Sequence, residues 1–345
     1  MMGEFLVSRR LAFGAAVAAA LAALVPQESQ AAEFNFRMQS NVPPGAAPYI
    51  ALEQEFVNGI RKMTGGRVEI QLFPGGALYP AGETLDAVAN GVTELGMSTG
   101  FYYAGKIGPI ASIESGLPGA EHDPMERNGF FYEKGFIDIA REVYGKHGVY
   151  YLAPNLASPW EIVSTVPIHG AKDFKGIKMR AGGIEAEWYN AMGAESVWIG
   201  GGELYTALAT KVVDAVRWGD ETQNLAKGLQ EVAKYYIKPA PMPAPNNHIL
   251  VNMDTWKSLP ADIQAIMDAA ARMASMKYIT LTRAEQAVAR AKLEKAGMEF
   301  ITIPADEWLS MEKQVRSIWA KYAEKGATEA KAVKMLQDYL AELGR

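Results

Sequence analysis

Arg180 ends an apolar stretch, Gly176-Ile177-Lys178-Met179-Arg180, and Gly182-Gly183 follow it closely. A guanidinium is a planar fork of donors matched to a carboxylate, and glycines beside it let backbone approach a guest. The same segment also permits a structural ion pair with Glu185 or Glu187. A second candidate pair, Arg217-Trp218, ends the apolar stretch 212–218. Arg217 is placed either to meet a second anionic group or to pair with Asp220 or Glu221. Trp218 and Trp160 offer flat apolar surface, for a cleft wall or for plain packing. Gly200-Gly201-Gly202 precedes a helix beginning near Glu203, the arrangement of an anion site at a helix start and equally of a tight turn. Gly96-Met97-Ser98-Thr99-Gly100 fits the G-x-S-x-G nucleophile elbow, with His169 or His248 available as base. That elbow should open directly into a helix, whereas Phe101-Tyr102-Tyr103-Ala104-Gly105 comes next, so a hydrolase using Ser98 is the poorer reading. The four histidines are far apart and there is no cysteine. Thiol catalysis, thiolate zinc and iron–sulfur chemistry are excluded, and no metal site is expected.

Alternating strands and helices must hold these residues. The pattern predicts strands at 34–38, 68–73 and 94–98, with helices over 49–63 and 82–90. Leu52, Phe56 and Ile60 form one helical stripe, and Gly65-Gly66 stop it. A similar run returns as strands at 176–180, 195–198 and 212–218 around helices at 185–192 and 203–209. Between the runs, 127–147 reads as a helix and 148–152 as a strand. Pro239, Pro241, Pro243 and Pro245 alternate in an extended connector leading to a strand at 248–252. A helix over 260–295 would extend about 50 Å, longer than one lobe, and two amphipathic helices (308–322 and 330–343) finish the chain. The expected fold is therefore α/β: two lobes closing on a hinge, with a long helix spanning both. Lobe 1 comprises 33–156 and 248–285, and lobe 2 comprises 157–247 and 286–345. Ligands of open parallel sheets sit beyond the carboxyl ends of the strands. That rule selects Gln39, Thr99 and Tyr102 in the first lobe, and Arg180, Arg217 and Trp218 in the second.

Composition narrows the function. Hydrophobic residues are 49% and charged residues 21% of the 345, as in an ordinary globular chain. The net charge of −5, without a basic cluster, argues against a nucleic-acid partner. Arg9-Arg10 precede an apolar run over 11–25, too short for a membrane span of about 20 residues. Ser29-Gln30-Ala31 then offers a cleavage site. Residues 1–32 read as a secretory signal with a twin-arginine flavour, and the mature chain is expected to begin near Ala32 or Glu33 in the periplasm.

The block Lys172-Asp173-Phe174-Lys175-Gly176-Ile177-Lys178-Met179-Arg180 resembles a known family, the DctP-type solute-binding subunits of tripartite ATP-independent periplasmic (TRAP) transporters. Gly202-Glu203-Leu204-Tyr205-Thr206-Ala207-Leu208 with Val212-Val213-Asp214-Ala215 is similar to a second block of that family, and Val251-Asn252 with Trp256 and Leu259-Pro260 to a third. The resemblance implies a two-lobed, non-enzymatic binding protein that captures a small organic acid for ion-gradient-driven uptake. It needs no cofactor, and its partners are a small and a large membrane subunit. It also implies that Arg180 grips the carboxylate and that Trp218, Gln39 and Thr99 touch ligand. Members that resemble 2-oxo-acid binders carry Glu-Trp where this chain has Arg217-Trp218. An acid replaced by a base removes a hard-cation ligand, so no bound metal is expected here. The binding protein of an ATP-driven importer would share the lobes and the export signal.

Overall fold

The computed structural model describes residues 32–243 and 246–345. The expected export signal, with Arg9, Arg10 and the apolar run, lies outside the described residues, as does Pro245. The strands, in chain order, are β1 (Phe34–Gln39), β2 (Val68–Phe73), β3 (Leu95–Ser98), β4 (Val149–Asn155), β5 (Trp160–Ser164) and β6 (Lys178–Arg180). They continue with β7 (Glu195–Val197), β8 (Ala215–Arg217), β9 (Tyr235–Met242), β10 (Asn247–Asn252) and β11 (Glu299–Thr302). They form two sheets, of order β2-β1-β3-β10-β4 and β11-β9-β5-β8-β6-β7. In the first, β1 is parallel to β2 and β3, and β10 runs antiparallel between β3 and β4. In the second, β6 is parallel to β7 and β8, whereas β5 is antiparallel to β8 and β9. The parallel pairs follow from β-α-β crossovers, and the single antiparallel strand in each sheet is where the chain passes between lobes.

Helix α1 is continuous through Ala47–Ala51, a wider turn at Leu52–Val57, and Asn58–Met63. Its stripe Leu52, Phe56 and Ile60 is fully buried, as the spacing predicts, in a core with Met38, Leu95, Ile249 and Met267. Each such side chain contributes about 1.5–3 kcal/mol of transfer free energy. Thr84–Ala89 (α2) and Pro109–Ser115 (α3) cover the same lobe. The helix expected over 127–147 is broken. It comprises Pro124–Asn128, a wider turn at Gly129–Glu133, a stop at Gly135 (φ +82°), and α4 (Phe136–Gly145). Gly129 itself keeps helical backbone (φ −59°), and its missing side chain makes room for the Tyr339 hydroxyl of the last helix. In the second lobe α5 (Gly183–Ala191), α6 (Leu204–Ala209) and α7 (Glu221–Ala226) join the strands. Strand β8 is shorter than the expected 212–218, because Lys211 adopts φ 59° and turns the chain just before it.

Two passages connect the sheets, and both join carboxyl edges. Residues 156–159 leave the carboxyl end of β4 and enter β5 at Trp160. The pairing of Ile162 with Arg217 puts the start of β5 beside the end of β8. Strand β9 returns from the same edge, where Met242 pairs Trp160, and β10 enters the first sheet at Asn247 opposite Asn155. Pro239 and Pro241 lie within β9 and donate no ladder bond, which suits a strand leaving its sheet. The strand edges that the ligand rule selects therefore face one hinge.

The long helix α8 (Ala261–Lys295) has 35 residues and spans both lobes, as its length predicts. Ile263, Met267, Ala270, Ala271 and Ala274 pack into the first lobe, and Leu293 packs into the second. It also pins the first passage: Ser275 Oγ accepts from Leu156 N at 3.0 Å. Helix α9 (Ala305–Ala323) packs on α5, and α10 (Ala327–Glu342) packs back on α3 and α4. Trp188, Trp308, Phe130 and Leu336 thus share one apolar cluster that runs from lobe to lobe. Among the described residues no helix is long and apolar enough to cross a membrane.

Candidate functional site

Strand β6 delivers Arg180 to the carboxyl edge of the second sheet, on the opposite face from Met179, which is buried in the core. The residue is nearly buried, at 6% exposure. Its Nε donates to the Ile199 carbonyl at 3.0 Å and one Nη to the Arg217 carbonyl at 3.1 Å. Among the described residues no carboxylate stands within ion-pair distance of it. Neither expected rival holds it: Glu187 pairs with Lys321, and Glu185 pairs with Arg217. Burial pushes the Arg180 guanidinium below its usual value, Glu185 partly offsets this, and Arg217 adds to the depression. A guanidinium remains charged regardless. The result is a desolvated cation, aimed by two backbone carbonyls and without a counterion.

Two indoles flank it. The Arg180 guanidinium carbon lies 4.2 Å from the Trp198 ring centroid and 5.7 Å from that of Trp218. Trp218 stacks on Trp160 at 6.0 Å with a 28° tilt, and the two belong to the same wall. The neighbouring glycines exist for these rings. A Cβ on Gly201 would sit 2.3 Å from the Trp218 ring, and one on Gly182 would sit 2.9 Å from the Trp198 ring. Gly201 is thereby a seat for Trp218, while Gly200 and Gly202 face open space. Gly201–Glu203 forms a single tight turn ahead of α6.

Arg217 differs from its neighbour. Its guanidinium is buried and grips Glu185 with two nitrogens, Nε on Oε1 and Nη2 on Oε2 at 3.1 Å, while the Tyr189 hydroxyl donates to Oε1 at 2.9 Å. Burial alone would depress it, but the Glu185 carboxylate outweighs that and raises it above its usual value. The expected partners Asp220 and Glu221 are occupied elsewhere. Asp220 caps α7 by accepting from Gln223 N at 3.0 Å, and Glu221 holds Lys238 at 2.7 Å. Arg217 is thus paired with Glu185, and not with either expected partner, through Nε and Nη2, while its Nη1 is buried without a hydrogen-bond partner.

First-lobe candidates divide in the same way. Gln39 is fully buried. Its amide holds the loop after β2, donating to Tyr79 O at 2.8 Å and accepting from Leu78 N at 2.6 Å. Thr99 lies at the edge in extended backbone, with a buried, unpartnered hydroxyl. Tyr102 is half-exposed beside exposed Phe101 at that edge. Ser98 is fully buried with its hydroxyl 3.4 Å from Ala81 O, and the chain after it forms a short tight turn, not the long helix of a nucleophile elbow. It pairs across β10 with His248, which is likewise buried and bonded to Glu114, so no surface reaches either group. Trp198 was missed. The carboxyl-end rule would have chosen it had it been applied at the end of β7 instead of two residues later.

The residues present do not fit a bound metal ion. Both Glu185 oxygens are committed to Arg217 and the Asp220 carboxylate to its helix cap. Among the described residues no group of three histidine, aspartate or glutamate side chains is disposed to hold a metal. A cavity of about 760 Å³ beside the passages is lined by Ser158, Glu161, Glu221, Lys238, Arg283 and Gln286 among others, and does not include Arg180. Its charged side chains are already paired: Glu161 and Glu221 share Lys238, at 3.2 and 2.7 Å, and Asp123 holds Arg283.

Residues 38–325 match the family model for bacterial extracellular solute-binding proteins of family 7, DctP. A monocarboxylate 2-oxoacid-binding periplasmic protein of Nostoc is 26% identical over 297 residues, 85% of this chain and 80% of that one. The C4-dicarboxylate-binding periplasmic protein DctP of Rhodobacter capsulatus is 25% identical over 95% of this chain and 98% of its own length. Among solved structures, a TRAP periplasmic solute-binding protein from Rhodobacter sphaeroides, in an apo open state, superposes with a TM-score of 0.83. It is 25% identical and covers 90% of this chain and 98% of the other. With two lobes joined at facing strand edges and a family match over most of its length, the chain belongs to the DctP family of extracellular solute-binding proteins, the binding subunits of TRAP transporters.

Proposed function

We propose that the protein captures a small organic acid in the cleft between its lobes, with the carboxylate on Arg180, and hands it to the small and large membrane subunits of a TRAP transporter from the periplasm. One observation carries this reading: Arg180 is nearly buried, with its guanidinium oriented by the Ile199 and Arg217 carbonyls and lacking an acidic partner. Desolvating a cation without a counterion is costly, and an incoming carboxylate repays that cost with charge-assisted hydrogen bonds. The lobes close on the guest because it prefers the closed state. The relatives' names, a 2-oxoacid binder and a C4-dicarboxylate binder, support an acid as ligand. Nothing favours chemistry: Ser98, the one nucleophile candidate, is sealed in the core. Calorimetry with a library of organic acids tests the reading. A ligand binding at micromolar Kd is expected, and Arg180→Ala should weaken it at least a hundredfold with the fold intact. Equal affinity of the variant would remove Arg180 from the site. Neither a chelator nor added calcium should change the affinity.

A further inference from the structure

We infer that the ligand is a flat, aromatic monocarboxylate, and that Trp198 is the residue that selects it. The inference rests on the carboxylate role of Arg180 proposed above and adds what the rest of the guest must be. Trp198 is 62% exposed, although tryptophan is the largest apolar side chain. It belongs to none of the buried apolar clusters. Its indole is held by the Arg180 guanidinium, at 4.2 Å, and by Gly182, whose missing side chain leaves room for the ring. What sets this exposed ring apart from an ordinary surface side chain is its place: it is held against a nearly buried cation that has no counterion, at the carboxyl edge of the sheet. The cation beside it gives the partner's charge, and the flat indole gives its shape: a ring attached to a carboxylate.

The opposite lobe carries the complement. Phe101 and Tyr102 are 64% and 50% exposed at the carboxyl edge of the first sheet, the edge joined to that of Arg180 by both passages. Their rings meet edge to face at 6.4 Å. Closure would set aromatic surface on both sides of a bound ring, the offset arrangement aromatic groups favour. A second carboxylate finds no such provision, because Arg217 is neutralised by Glu185.

The test is calorimetry on the full-length mature protein with phenylpyruvate and pyruvate, a pair differing by one phenyl ring, together with benzoate, phenylacetate and succinate. Phenylpyruvate should bind at least tenfold more tightly than pyruvate, and succinate should bind no better than pyruvate. Trp198→Ala should lower phenylpyruvate affinity at least tenfold more than pyruvate affinity, so that the advantage of the ring is lost. Trp198→Phe should restore part of it, and because the side chain is exposed, both variants should melt as the wild type does. Pyruvate or succinate binding as tightly as the aromatic acids, no binding of any aromatic acid, or Trp198→Ala leaving all affinities unchanged would overturn the assignment. Arg180→Ala separates the two readings. If it leaves the binding of every acid intact, the carboxylate role fails. If it abolishes pyruvate binding in a protein indifferent to the ring, only the aromatic selection fails.

Discussion

Two arginines end neighbouring strands of one sheet, and their fates differ through a single carboxylate. Glu185, in the first turn of α5, reaches Arg217 and leaves Arg180 uncompensated. Alternation along a strand decides this: Arg217 shares a face with the α5 side of the sheet, whereas Arg180 emerges on the other face beside Trp198 and Trp218. A second buried carboxylate has a pH consequence. Glu161 lies beside Glu221 with only Lys238 between them, and the Tyr236 hydroxyl donates to it at 3.0 Å. Burial first, and then the charge of Glu221, push the Glu161 carboxyl up to about 8. Lys238 compensates one acid and a proton compensates the other. Between the unfolded carboxyl's value of 4.5 and about 8, the folded state holds a proton that the unfolded state has lost. This group's contribution to stability is therefore full below about pH 4.5 and is lost as pH rises through about 8. Thermal melts of the wild type should fall across pH 5 to 8, and Glu161→Gln should flatten that slope. Parallel pH profiles of the two proteins would show that Glu161 is not the protonated member.

At the scale of elements, the passage between lobes is held by the long helix. Residues 156–159 cross from β4 to β5 over α8. The Leu156 N–H, buried there, has its partner in the Ser275 hydroxyl at 3.0 Å, while Ser158 reaches Gln286 at 3.5 Å. A long helix that packs Met267 and Ala274 into one lobe and Leu293 into the other fixes the pivot of both. Ser275→Ala leaves a buried donor unpaired and should cost about 1–3 kcal/mol in urea denaturation, with secondary structure unchanged. Loss below about 0.5 kcal/mol would mean that the passage finds another acceptor and is not pinned by the helix.

For the whole molecule, the cleft and the hinge are one construction. Both passages join carboxyl edges, so a guest bridging the edges pulls on the hinge directly. The helices α9 and α10 join the lobes through a shared apolar cluster. Small-angle scattering should show the radius of gyration falling on addition of a bound organic acid, and the melting temperature should rise. At 100 times its Kd the ligand adds about 2.7 kcal/mol. Neither change is expected for Arg180→Ala. A wild-type protein that binds with an unaltered scattering profile would be one that captures ligand without closing.

Periodicity and punctuation alone determined much of this protein. Leu52, Phe56 and Ile60 had to face a core because helical spacing puts them on one stripe. The length of the helix ending at Lys295 required it to span both lobes, and strand ends offered Arg180, Trp218, Thr99 and Tyr102 as candidates for the cleft. These are local consequences of backbone geometry, and local sequence carries them. Partnership was not legible. Gln39 turned inward to a loop 40 residues away, Arg217 found Glu185 from a different element, and Gly201 was spared a side chain for the sake of Trp218. Which of two arginines stays free depends on which faces of the sheet its covering helices occupy. Only long-range packing sets that, because ion pairing and close contact depend on distance in space and not along the chain.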